Sequence, residues 1–148
     1  MRRRRAADCP VIVSWVPDAH ALYLFAGPQP TWPFTVEQLR AYEQRDGHGA
    51  WVVVDDGGRV IGQFELTITG TSAWLSRVII DPAQRRRGLA RVLVGRAIEG
   101  ARSRGATEIG LKVIAGNDAA IRSYVAAGFH DTGDAERLDV VAMRLQLR

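Results

Sequence analysis

Apolar and polar positions alternate along this chain with two periods, and the order in which those periods change lays out its elements. Val11 to Val16, the run VIVSWV, reads as a short strand closed by Pro17. Asp18 is placed to cap a helix through AHALYLF, because its carboxylate can accept from the free amides of the first turn. After the loop AGPQPTWPF, Thr35 and Gln38 form a capping-box pair that predicts a second helix over about residues 36–45. AWVVV, the turn DDGG and RVIGQFELTI then predict a β-hairpin. In its second strand Phe64, Leu66 and Ile68 alternate with Gln63, Glu65 and Thr67, which predicts one buried face and one polar, solvated face.

AWLSRVII predicts a further strand that stops at Asp81 and Pro82. From Gly88, apolar residues at Leu89, Val92, Leu93 and Ala97 recur at helical spacing, with Gly105 placed to end the helix. TEIGLKVIA is the next strand. Asn117 caps a helix through DAAIRSYVAAG, in which Ile121, Tyr124 and Val125 form an apolar stripe, and LDVVAMRLQL supplies the last strand. Strand, helix, strand, helix, strand in the second half predicts a mixed α/β layer structure with a partly parallel centre. No repeat or low-complexity linker divides the chain, so residues 1–148 read as one domain, with residues 1–9 a frayed basic tail.

Composition removes several classes of function. No apolar run reaches the roughly 18–20 residues of a transmembrane helix, and the arginines of the amino terminus lead into no signal-like segment, so a soluble cytoplasmic protein with no membrane partner is expected. Cys9 is the single cysteine, and His20, His48 and His130 have no ligand spacing, so neither a disulfide nor a metal site is expected. A net charge of +4 would favour a polyanionic partner, but the excess lies mainly in MRRRR and QRRRGLAR, and Lys112 is the only lysine.

Chemistry is concentrated in VIIDPAQRRRGLARVLV. A strand that stops at a proline, a short loop, and a helix opening near Arg87 leave unpaired amides at the helix start, where the dipole adds partial positive charge. Gly88 and Ala90 are small enough for a phosphate to approach the backbone, which suits a pyrophosphate. The lysine of a mononucleotide P-loop and the G-x-G-x-x-G of a dinucleotide site are both absent.

This stretch resembles motif A of the GNAT superfamily of N-acyltransferases, whose R/Q-x-x-G-x-G/A signature is met by Arg85, Gly88 and Ala90. NDAAIRSYVAAGF resembles a second family block, through Asn117, Ala120, Tyr124, Gly128 and Phe129. The likeness is good over about residues 52–129 and only in outline before that. It implies a mixed, mostly antiparallel sheet with two splayed central strands, those carrying Val78 and Val113, flanked by helices. It implies acetyl-CoA as cofactor, CoA as product, and transfer of acetyl to a primary amine of a small molecule or peptide terminus in a ternary complex. The backbone of Val78, Ile79 and Ile80 would bind the pantetheine arm. Amides of Arg86, Arg87, Gly88, Leu89, Ala90 and Arg91 would hold the pyrophosphate, and Asn117 would reach the cofactor from the next helix. Arg85 and Arg87 would touch phosphates.

Tyr124 would be the general acid, although the same residue also fits the apolar stripe of its helix. Some members of the family carry a glutamate base at the position of Lys112 and others one near Trp74; both are missing here, so Glu65, acting directly or through water, is the substitute base and a relay through water and backbone carbonyls is the alternative. Trp32 and Phe34 lie in the loop that walls the acceptor pocket in this family, though such loops also bury aromatics to close a core. A final strand shared between subunits, making a homodimer, is also implied. Two competing readings stand beside the enzyme. The missing glutamate favours a CoA-binding domain without catalysis. The arginine runs favour a nucleic-acid-binding module, which ranks last because no helix presents a full basic face.

Overall fold

The computed structural model describes residues 1–135 and 137–148. Seven strands form one sheet, β1 (Arg2–Arg3), β2 (His48–Val54), β3 (Val60–Thr69), β4 (Ser72–Ile80), β5 (Glu108–Ile114), β6 (His130–Asp131) and β7 (Val140–Gln146). Their order in the sheet is β1-β2-β3-β4-β5-β7-β6. Every neighbouring pair is antiparallel except β4 with β5. The long helices α4 (Leu89–Ser103) and α5 (Asp118–Ala126) pack beside each other, with α4 against β3 and β4. Three short ones, α1 (Cys9–Ser14), α2 (Ala19–Ala26) and α3 (Val36–Leu39), precede β2. This is the mixed, mostly antiparallel architecture that the resemblance implies.

The core falls into two clusters. Phe64, Leu66 and Leu75 of the sheet meet Leu93, Val94 and Ala97 of α4 in the first. Ile12, Leu22, Phe34 and Leu39 from the amino-terminal helices meet Val52 and Ile79 in the second. The second cluster explains why VIVSWV is a helix rather than the expected strand. Pro10 suits the first turn of α1, and Cys9, Ile12 and Val16 recur at helical spacing and are buried together. Burial of that stripe outweighs the strand preference of three valines and an isoleucine.

Two caps stand as the sequence predicts. Asp18 accepts from the Ala21 amide at 2.8 Å and Thr35 Oγ1 from the Gln38 amide at 3.2 Å. The second capping box is only half made, because the Gln38 side chain donates to the Pro33 carbonyl instead, and α3 stops after four residues rather than running to Arg45.

The amino terminus is not a frayed tail. Arg2 and Arg3 pair with Val52 and Trp51 as the edge strand β1, and Asp8 accepts two hydrogen bonds from the Arg2 guanidinium, at 2.7 and 2.9 Å. Those bonds hold the Asp8 carboxyl below the usual carboxylate range despite its burial. Arg4 then turns inward, its side chain 1% exposed, and donates to Gln63 Oε1 at 2.8 Å, Glu65 Oε2 at 3.2 Å and Glu43 Oε1 at 3.1 Å. The polar face of β3 is therefore sealed rather than solvated, with Gln63 and Glu65 both fully buried.

Candidate active site: a gap in the sheet open to two cavities

β4 and β5 pair only through Ser72–Trp74 and Glu108–Gly110, and beyond those three rungs the strands run unpaired. Two local features account for the split. At the last rung the Trp74 ring lies over Gly110, where an added Cβ would stand 3.1 Å from it. Further along, the β3–β4 register shifts, so that Arg77 and Val78 together stand opposite Phe64. Arg77 sits in this bulge at a φ of 50°, left-handed for a non-glycine residue, and bends β4 away from β5. The bulge is held by the Arg77 guanidinium, which donates to the carbonyls of Gln38 and Leu39 and lies 4.3 Å from the centre of the Tyr42 ring. On the backbone side, Gln63 Nε2 donates to the Arg77 carbonyl at 2.9 Å.

One cavity of about 1100 Å³ runs from this gap to the start of α4. Asp81 turns the chain there by accepting from the Ala83 amide at 2.9 Å, a single 3-10 turn follows over Pro82–Gln84, and α4 opens at Gly88. Gly88 is left-handed at φ 76° and offers no side chain to cap the helix; the first helical bond runs from the Val92 amide to its carbonyl. The amides of Leu89, Ala90 and Arg91 thus have no protein acceptor among the described residues. A Cβ on Gly88 would meet no protein atom within 4 Å. Arg86 is also left-handed, at φ 67°, so both non-glycine residues of positive φ among the described residues line this cavity, where backbone strain of this kind is commonly retained for function.

The cavity brings together Val78, Ile79 and Ile80, then Arg85, Arg86, Gly88, Leu89, Ala90 and Arg91, and from α5 Asn117 and Tyr124. Arg122, which the sequence reading passed over, joins them. Arg87 does not line it and instead donates to Gln84 Oε1. Asn117 Oδ1 accepts from the Ala120 amide at 3.4 Å and so starts α5 at the cavity wall. Tyr124 is 7% exposed, packs edge-on against Phe129, and has its phenol pushed up to about 12 by burial alone.

A second cavity of about 740 Å³ meets the first along Leu75, Ser76 and Arg77 of β4 and Lys112 and Val113 of β5. Tyr42, His48, Thr67 and Trp74 give it a polar and aromatic lining. Trp32 and Phe34 line neither cavity. Phe34 is 6% exposed in the second core cluster, edge-on to Phe25, while Trp32 lies 45% exposed at the surface. The proline-rich loop closes a core, and Phe25, from α2, supplies the wall expected of Phe34.

Glu65 also lines neither cavity. Its fully buried carboxylate accepts from Arg4 and from Gln63 Nε2, lies 3.9 Å from Arg77, and is 2.8 Å from His48 Nε2. A base so enclosed cannot touch an acceptor directly. His48 lines the second cavity with its side chain only 3% exposed, and its Nδ1 lies 2.8 Å from Thr67 Oγ1, which lines the same cavity and can relay to it. The sequence reading missed His48. The register of the β2–β3 hairpin, which pairs His48 with Thr67, is the signal that would have located it.

Among the described residues no cluster of histidine, cysteine or acidic side chains could hold a metal ion, and no helix is long and apolar enough to cross a membrane.

A family model for the acetyltransferase (GNAT) family matches residues 19–129. No curated protein matches the chain. Among solved structures, the spermidine N-acetyltransferase from Vibrio cholerae in complex with CoA and spermine aligns with a TM-score of 0.80 at 22% identity, over 98% of this chain and 93% of that one. The ribosomal-protein-S18-alanine N-acetyltransferase from Escherichia coli aligns with a TM-score of 0.73 at 22% identity, over 98% of this chain and 91% of that one. A Salmonella typhimurium protein with its cofactor acetyl-CoA gives a TM-score of 0.73 at 25% identity, over 99% and 92% respectively.

Proposed function

This chain belongs to the acetyltransferase (GNAT) family, and on that premise we propose that it transfers an acetyl group from acetyl-CoA to a primary amine by direct attack within a ternary complex. The observation that carries the reading is the unpaired stretch between β4 and β5, whose walls are shared by a basic cleft and a second cavity. Two reactants that enter separately would meet there, their reacting atoms held close as direct transfer requires.

The bare amides at the start of α4 fit a pyrophosphate, since no protein group accepts from them and the space over Gly88 is clear. Arg85, Arg86, Arg91 and Arg122 line the cleft there, and among the described residues no aspartate or glutamate lines it. The edge of β4 at Val78–Ile80 that faces the gap has no strand partner, which leaves it open to the extended pantetheine arm. Acetyl-CoA supplies the thioester. Saturating it at a hundredfold excess over its dissociation constant should stabilise the fold by about 2.7 kcal/mol. A thermal scan that does not move would remove the reading.

In the transfer the amine nitrogen bonds the acetyl carbon, the carbon–sulfur bond breaks, and the thiolate takes a proton. We assign that proton to Tyr124, which its burial keeps protonated until well above neutral pH. Tyr124→Phe should lower kcat about 10²-fold while acetyl-CoA affinity is retained. The wild-type profile should show no alkaline limb from this group below about pH 11. An unchanged kcat would return Tyr124 to being a core aromatic.

The proton leaving the amine passes to Thr67 Oγ1 and on to His48 Nδ1, with Glu65 steadying the ring from Nε2. Glu65 then acts at one remove rather than as the base itself. His48→Gln should lower kcat/KM about 10²-fold. Thermal stabilisation by acetyl-CoA checks that the variant is folded. A variant with the wild-type kcat/KM would return the proton path to water and backbone carbonyls.

A further inference from the structure

The second cavity is lined by Arg45, Arg77, Lys112, Arg137 and His48 and, among the described residues, by no aspartate or glutamate. Of the arginines and the lysine, two are already committed. Arg77 gives its N–H groups to the Gln38 and Leu39 carbonyls and lies 3.9 Å from Glu65, and Arg137 pairs with Asp139 at 2.8 Å. Asp139 stands behind the lining and also accepts from the Tyr23 hydroxyl. Arg45 and Lys112 are different. Among the described residues neither side chain forms an ion pair or donates a hydrogen bond, and each lies near an aromatic ring, Arg45 at 4.0 Å from the centre of Tyr42 and Lys112 at 5.9 Å from that of Trp74. A guanidinium stacked by its face keeps its in-plane N–H edge free to fork onto an oxyanion. Lys112 lies on the wall common to both cavities.

We propose that the acceptor is an amine that carries its own oxyanion, a carboxylate in the first instance, held by Arg45 and Lys112. The inference rests on the acetyl-transfer reading and narrows its substrate class. A polyammonium acceptor would enter a cavity whose described lining carries only like charge. An amino carboxylate brings the counter-charge that Arg45 and Lys112 lack. The same cations disfavour the ammonium form of the bound nucleophile and so help to present it neutral, the state in which nitrogen can attack. Positive potential at the mouth also speeds the approach of an anion.

The test is thiol release by the full chain with acetyl-CoA over matched probes: small amino carboxylates, their carboxamides, an aminoalkylphosphonate and spermidine. The acids should exceed their carboxamides at least tenfold in kcat/KM, chiefly through KM, and the phosphonate arm reports whether phosphorus oxyanions are taken as well. Arg45→Gln and Lys112→Gln should each draw the acid-to-amide ratio toward one. Carboxamides or spermidine turned over as well as the acids would overturn the inference and leave acetyl transfer standing. If no probe releases thiol although acetyl-CoA stabilises the fold, the same acids and amides are titrated against the CoA-bound protein, and equal or absent binding of the acids overturns it. Failure of acetyl-CoA to stabilise the fold overturns both.

Discussion

Replacing Arg4 with methionine is expected to lower the free energy of unfolding by about 3–5 kcal/mol, because it strands a buried carboxylate. The Arg4 side chain is 1% exposed and Glu65 0%, so the pair has little solvent to fall back on. Methionine fills much of the volume, so the loss comes from charge and hydrogen bonding. Gln63 Oε1 loses its donor too, and Glu43 Oε1 keeps only Arg40 Nε. Urea denaturation reads the effect directly. The double variant Arg4→Met/Glu65→Gln should recover a large part of the loss, because a neutral amide at 65 no longer needs a cation. A single-variant cost below about 1 kcal/mol would fit an exposed ion pair instead and make the amino terminus peripheral. Function should follow stability here, since Glu65 is also what holds His48 in place.

Gly88→Glu is expected to lower acetyl-CoA affinity by about 10²-fold or more, the loss of at least one or two charge-assisted hydrogen bonds worth roughly 1.5–3 kcal/mol each. Two effects act together. A left-handed φ of 76° disfavours any side chain, and this side chain sets a carboxylate among the bare amides where a phosphate would bind. Arg86→Ala, at the rim of the same cleft, should cost less than tenfold, in line with the roughly 0–1 kcal/mol of an exposed charge. Gly88→Ala separates the two effects, because its Cβ meets no protein atom and adds no charge. It should lose stability but keep much of the affinity. Isothermal titration with acetyl-CoA gives the ordering. If Arg86→Ala weakened binding more than Gly88→Glu, the guanidinium groups rather than the backbone would hold the anion.

Where the sequence was legible, the reason was local. The caps at Asp18, Thr35 and Asn117 work within three residues, and the structure has each of them. The β2–β3 hairpin and α4 announced themselves by period and by turn residues. The misreadings were tertiary. VIVSWV has strand-like residues, but α1 buries Cys9 and Ile12 completely, and a short apolar run cannot say which partner it will meet. MRRRR looked like a solvated tail because the carboxylates that receive Arg2 and Arg4 lie at Asp8, Glu43 and Glu65, the last two far along the chain.

The sequence by itself determined the order of strands and helices in the second half of the chain, the two-residue strand β6 apart, and the small-residue start of α4 with its free amides. Period, capping and the smallness of Gly88 are properties of neighbouring residues, and they act wherever the segment is placed. Only the tertiary structure decided which polar residues the site would use. Sheet register put His48 beside Thr67 and sealed Glu65 behind it, and the bulge at Arg77 opened the gap along which the two cavities meet. Those outcomes depend on long-range pairing and burial, in which a strand's polar face becomes solvent-facing or buried according to what packs over it, and no local window carries that information.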